Sequence, residues 1–242
     1  MSAALTLAQS TQDAVASDIL GGRLAPDSWL RLGSLSATYG IGLSPLREAM
    51  ANLVGRGLVI QEGQRGFRVA PVSLADLLDL CETRTMLECQ ALRAAMAAGG
   101  ADWEASILAA QHRLSRHPRT AERLIDEDWE ALHRAFHFAF LAACPSPRLV
   151  AFCHQLYDQF DRYRRLAVLA AGRHPVIAPV DAALVAAVLA QDADAALALT
   201  ARHVADSAAQ IRQLGTPHWF AAEGEAGTGV AISGGRVPNK AG

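Results

Sequence analysis

The sequence predicts a mostly α-helical chain in two parts: a small N-terminal unit of helices closed by a β-hairpin, then an all-helical bundle. Three observations carry this. Apolar residues make up 51% of the 242 and charged residues 19%, a composition that can bury a sizeable core. Apolar positions recur at helical spacing through most of the chain. The exception is residues 58–69, where Leu58-Val59-Ile60 and Gly66-Phe67-Arg68-Val69 flank a polar tip containing Gly63.

The elements follow in order. Residues 6–21 read as a helix with Leu7, Val15, Ile19 and Leu20 as apolar positions and Gly21-Gly22 as its stop. Leu24-Ala25-Pro26-Asp27 is a turn, and 34–39 a short helix ended by Gly40. A longer helix opens at Ser44-Pro45, read as an N-cap followed by proline at the first helical position, and leaves at Arg56-Gly57. Helix, helix–turn–helix, then hairpin is the layout of a winged helix–turn–helix. From Ser73, an N-cap candidate, only helical periods remain, placed at 73–98, 101–116, 121–143, 147–171, 179–190 and 193–214. The expected organisation is therefore 1–72, 73–214, and a non-periodic tail at 215–242 in which Trp219-Phe220 has no required partner.

Composition also narrows the function classes. Cys81, Cys89, Cys144 and Cys153 form no CxxC, which excludes a zinc ribbon and points to buried thiols of a reduced cytoplasmic protein. The longest apolar run, Ala182 to Ala190, is far shorter than the ~20 residues of a membrane span, and no signal-peptide pattern opens the chain. Net charge is −2; of 22 basic residues 21 are arginine, Lys240 being the single lysine. Arg47, Arg56, Arg65 and Arg68 against Glu48 and Glu62 are only a modest local excess, so charge alone does not point to DNA.

The order of motifs does. Ile19-Leu20-Gly21-Gly22-Arg23-Leu24-Ala25-Pro26, Leu35-Ser36, Ser44-Pro45-Leu46-Arg47-Glu48-Ala49-Met50, Leu53, Gly57-Leu58-Val59 and Arg65-Gly66-Phe67-Arg68-Val69 span residues 14–70. This set resembles the DNA-binding domain of the GntR family of bacterial transcription regulators. The remainder is similar to the FCD effector domain of its FadR-like subgroup, through Arg84 to Glu88, Phe136-His137, Pro147-Arg148-Leu149, Asp192 and His203. The resemblance implies a homodimeric, cytoplasmic, ligand-responsive regulator of a DNA operator, more often a repressor, associated with the nucleoid when bound to DNA. Ser44, Pro45 and Arg47 would face the major groove, Arg47 as a bidentate guanine reader. Arg31, Arg65 and the Gly66 backbone are phosphate or minor-groove candidates. The alternative for Arg47 is a pair with Glu48 or a side chain that only meets solvent. Gly42-Leu43 stands where the family usually has Ser-Arg, which puts the usual operator consensus in question.

Three helices of the second part carry polar groups in apolar stripes. His133 and His137 lie at i, i+4 beside Trp129, Leu132, Phe136 and Phe140; Asp181 precedes Leu184, Val185 and Val188; His203 sits among Ala196, Thr200, Val204 and Ile211. A buried carboxylate needs compensation, most simply by a cation. The resembling FCD domains bind a divalent metal through one Asp and three His. Here His133 and Asp181 hold two of those positions in exchange, leaving the inventory of His133, His137, Asp181 and His203 intact. Such a set suits Zn²⁺, Ni²⁺ or Mn²⁺, and the alternative is groups hydrogen-bonded in the core. A small carboxylate effector is expected, with Arg84 as its charge partner unless Arg84 pairs with Glu88 at i+4. Arg162, Arg164 and Arg165 read as a solvated or dimer-contacting face. A metal-dependent hydrolase using the same four residues is the rival class; no HExxH or GxSxG motif supports it, and no catalytic residue is expected.

Overall fold

The computed structural model describes residues 7–120, 123–174 and 180–214, with the side chains of Gln64, Val180 and Asp181 outside the description. The expected tail at 215–242, with Trp219-Phe220, and the break at 175–179 therefore lie outside the described residues.

The N-terminal unit runs α1 (Leu7–Leu20), β1 (Trp29–Leu30), α2 (Leu32–Tyr39), α3 (Leu43–Gly55), β2 (Val59–Gln61) and β3 (Phe67–Val69). Its core is Val15, Ile19, Leu35, Ile41, Leu46, Met50, Leu53, Leu58 and Val69, the apolar positions that periodicity marks. The wing is an antiparallel sheet in the order β1-β3-β2, with Val59 opposite Val69 and Trp29 opposite Arg68. The first strand is not in the sequence expectation: two residues are too few to show an alternation. A second difference is the start of α3. Its N-cap is Gly42, with no side-chain cap, so Ser44 and Pro45 are the second and third helical residues. Proline is tolerated there because the first-turn N–H groups have no intrahelical acceptor.

The second part contains α4 (Leu74–Ala98), α5 (Ala101–Ser115), α6 (Glu127–Ala139), α7 (Pro147–Ala171), α8 (Val180–Leu189) and α9 (Ala193–Leu214). Ser73 caps α4, its hydroxyl accepting the Asp76 N–H at 3.1 Å, and Ser146 caps α7 with Pro147 next to it. Helix α6 is shorter than the expected 121–143. Asp126 accepts the N–H groups of Asp128 and Trp129, and Glu127, Asp128 and Glu130 fill the positive end of the helix dipole. All four cysteines are free thiols; burial pushes Cys81 up to about 11 and Cys153 up to about 12.

The two parts dock along one face of α7. The Asp158 Oδ2 accepts Arg56 Nη2 at 2.7 Å and Nε at 3.2 Å, just past the end of α3. Gln159 Nε2 donates to the Arg56 carbonyl at 3.1 Å. Arg162 donates to the Ala70 carbonyl, and the Tyr163 hydroxyl accepts the Ser73 N–H at 3.0 Å while donating to Asp76 at 2.6 Å. Positions 158, 159, 162 and 163 are i, i+1, i+4 and i+5, one helical face. Arg162 and Arg165 are therefore buried, and Arg164 nearly so, which corrects the expected solvated face: each has a carbonyl or carboxylate acceptor.

Asp158 also takes Arg134 of α6 on its other oxygen. Asp158→Ala leaves two guanidiniums without their acceptor and should lower stability by about 1–3 kcal/mol. Urea denaturation measures the loss, and faster proteolysis at residues 70–73 reports the loosened docking.

Candidate nucleic-acid interface and effector cavity

The α2–α3 corner is fixed by its own backbone. Gly40 adopts φ 63°, the left-handed conformation that glycine enters without Cβ strain, and Ile41 N–H returns to Ser36 O at 3.1 Å. With Leu46, Met50 and Leu53 turned inward, α3 presents Leu43, Ser44, Arg47, Glu48 and Ala51 outward. Ser44 and Arg47 are exposed and Pro45 half-buried. Among the described residues the Arg47 side chain has no ion pair, so the alternative pairing with Glu48 does not form. Arg31 is exposed ahead of α2, and Arg65 is exposed at the wing tip, where Gly66 takes φ 109°. Arg68 is instead committed within the wing to Asp27 and Glu62.

A cavity of about 80 Å³ opens between α4, α6, α7 and α9. That is room for about five waters or one small organic molecule. Its walls bring together Arg84, His133, His137 and His203 with Trp129, Tyr157, Asp161 and Arg164, and with Arg119 from the segment between α5 and α6. His133 and His137 face each other, Nε2 to Nε2 at 3.1 Å. The His133 Nδ1 meets the Tyr157 hydroxyl at 2.9 Å, and its ring stacks on Trp129 at 4.4 Å. The His203 ring lies 4.9 Å from that of His137. Asp181 is placed on α8, but its side chain lies outside the described residues. Asp192 caps α9 through the Ala195 N–H at 3.0 Å. Among the described residues no group of three or more His, Cys, Asp or Glu is placed to hold a metal ion.

Two of the three arginines are already neutralised. Arg84 Nε donates to Glu88 at 2.6 Å, the i+4 alternative from the sequence, while its guanidinium still lines the cavity over Phe160. Arg164 bridges Asp161 and Glu130. Burial would push the Asp161 carboxyl up, but Arg164 and Arg165 hold it below the usual carboxylate range. Arg119 has no such partner among the described residues and stacks on Trp129, 3.5 Å from the ring centroid. The sequence reading missed it. Its neighbourhood, Pro118 to Thr120, carries no period and no motif, so no local signal could have singled it out.

Burial, with the neighbouring charges of His137 and Arg164, holds the His133 imidazole well below its ordinary value. Burial and His203 do the same to His137, and burial with Arg84 lowers His203 to about 4. All three are neutral at pH 7, and the 3.1 Å contact between His133 and His137 is a hydrogen bond between two neutral rings, one Nε2 donating and the other accepting.

A winged helix–turn–helix that presents an arginine on its exposed helix, docked on a helical domain, is the build of a DNA-binding regulator. Comparison with known proteins makes this specific. Residues 7–69 match the gntR family of bacterial regulatory proteins, and residues 79–206 match the FCD domain. The chain is 37% identical to BphR of Paraburkholderia xenovorans, described as an uncharacterised HTH-type transcriptional regulator, over 87% of both chains. It is 38% identical to the HTH-type transcriptional repressor GlaR of Escherichia coli, over 77% of this chain and 87% of that protein. The fold is similar to that of Escherichia coli McbR/YncC, with a TM-score of 0.67 at 19% identity, covering 86% of this chain and 98% of that one. The chain belongs to the GntR family of DNA-binding transcription regulators and carries an FCD effector domain. Among the described residues no helix is long and apolar enough to cross a membrane.

The lowered histidines set a pH dependence. In the metal-free protein the unfolded chain binds protons from about pH 6.5 downward while the folded one does not, so their stabilisation is full above that pH. It should be lost progressively as pH falls toward about 4, and urea midpoints across that range should fall less steeply in His203→Gln.

Proposed function

We propose that this regulator senses a small organic acid in the cavity, with a divalent transition metal (Zn, Ni or Mn) held by His133, His137, His203 and Asp181. The observation that carries the reading is the facing pair of neutral imidazoles beside three arginines. For a metal–nitrogen bond of about 2.1 Å, two ligating nitrogens would stand about 3.0 Å apart at a right angle and about 3.4 Å apart at the tetrahedral angle. The 3.1 Å separation of His133 and His137 lies between these values. The Tyr157 hydroxyl at His133 Nδ1 fixes that ring's orientation, as outer-shell partners of metal-binding histidines do. A bound metal would supply a Lewis-acidic point for an acid's oxygen.

The route to DNA runs along α6. His133 faces the cavity, and its chain neighbour Arg134 holds Asp158, which holds Arg56 at the end of α3. An effector that prefers one placement of α6 thereby favours one placement of α3. The protein acts as a homodimer, two α3 helices reading a palindrome with Ser44, Pro45 and Arg47. Arg31, Arg65 and the Gly66 backbone hold phosphates or the minor groove. Leu43, half-exposed where a basic residue is usual, offers methyl contact to thymine. The repressor name of GlaR supports repression released by ligand.

Arg47→Ala should weaken operator binding by about 10- to 100-fold, the value of one bidentate guanine contact, with the urea midpoint unchanged. Footprinting should show two symmetric half-sites in the wild type; wild-type affinity in the variant would sink the assignment of α3.

A second reading is favoured by the lack of a placed three-ligand group among the described residues: a metal-free pocket working through arginines and hydrogen bonds. Elemental analysis separates the two. The metal reading expects about one divalent ion per subunit, lost in both Asp181→Ala and His137→Ala. A protein that binds none, even when offered it, is the second reading.

A further inference from the structure

Among the described residues that line the cavity, Arg119 is the arginine whose guanidinium has no hydrogen-bond acceptor. All three of its guanidinium nitrogens are buried, and among the described residues none has a hydrogen-bond partner. Its face is covered by the Trp129 ring at 3.5 Å, which leaves the N–H edge as the recognising surface. Carboxylates are near but taken: Asp161 by Arg164 and Arg165, and Glu130 by Arg164. Arg84, the effector partner expected from the sequence, is neutralised by Glu88. A buried cation with no acceptor is unfavourable unless something brings one.

We propose that Arg119, backed by Trp129, is the anion anchor of the cavity, taking the carboxylate of a small organic acid through its planar N–H fork. The inference rests on the reading of the cavity as an effector site and names the residue that selects the ligand's charge. Stacking fixes the guanidinium plane, and a fixed plane suits a planar carboxylate, whose two oxygens meet two parallel N–H bonds. Imidazoles, aromatic rings and the aliphatic Ile211 and Leu214 line much of the remaining wall, which suits the uncharged body of such an acid, while Asp206, paired with Arg202, and Gln210 stand on the α9 side. Burial, reinforced by Arg164, pushes the Arg119 guanidinium down to about 10, which leaves it charged at neutral pH. The segment is close to α6, so an acid gripped by Arg119 would bear on the same helix that carries His133 and Arg134.

The test is thermal unfolding of the full-length protein with acetate, succinate, benzoate, neutral succinamide or phosphate at millimolar concentration. At least one carboxylate should raise the wild-type melting temperature, and succinamide should not. Arg119→Leu removes an unpaired buried charge and keeps an apolar group on Trp129. Without any anion it should melt about 2–4 °C higher than wild type. Its carboxylate response should vanish, the affinity being about 10- to 100-fold weaker.

Four results overturn the proposal. If Arg119→Leu melts lower than wild type without ligand, Arg119 is a structural residue. If the variant keeps the wild-type carboxylate shift, the acid-sensing reading survives and the anchor is elsewhere. A wild type that responds to phosphate alone removes the carboxylate assignment. A wild type that responds to none of the anions removes both the anchor and the acid-sensing reading.

Discussion

Two buried carboxylates one turn apart on α7 organise the molecule. Asp158 faces the N-terminal unit and gathers Arg56 and Arg134; Asp161 faces the cavity and gathers Arg164 and Arg165. Neither arrangement is a strong source of net stability, because desolvating the charges offsets most of their attraction. What they impose is geometry. A carboxylate in a dry interior keeps its partners, and losing Arg56 would leave the Oδ2 of Asp158 without its cation. The placement of α3 is thus tied to α7 by a contact that is costly to break and specific in direction. Gln159 and Tyr163 add hydrogen bonds on the same face, which leaves the 70–73 connection little freedom.

The sequence was readable where a local pattern determines the outcome. The cores of both parts follow the 3.6-residue period, and Ser73 and Ser146 cap as their neighbours indicate. The two Ser-Pro steps show where local reading stops. Helix α7 begins at Pro147 as expected, with Ser146 as its cap, but Ser44-Pro45 lies inside the first turn of α3 and does not open it. In α3 the start is set by the tight turn at Gly40 and by the burial of Ile41 and Leu46 against α2, which are tertiary constraints. The first strand pairs only because the wing folds back over it.

The site divides in the same way. His133 and His137 were legible because i, i+4 places two rings on one face of a helix whatever else happens. Their closeness to His203 depended on a resemblance, since nothing local joins α6 to α9. The arginine run at 162–165 was misread because arginine on an amphipathic helix is usually solvated. Here it meets Asp161, Glu127, Glu130 and a backbone carbonyl, and only Asp161 is close in sequence. Arg119 had no local signature at all. Its significance lies in what surrounds it and in what, among the described residues, does not.

That contrast is what would let a fold with saturated ion pairs respond to the proposed ligand. Asp158 and Asp161 are satisfied, so they transmit position but gain little from a newcomer. The histidines are held neutral, and Arg119 is held charged with no acceptor among the described residues. These are the groups whose free energy a ligand can change. Only a ligand that interacts differently with two placements of a helix can shift their balance. The proposed sensing chemistry therefore belongs where the structure is least satisfied, and the satisfied carboxylates of α7 are what carry its consequence to α3.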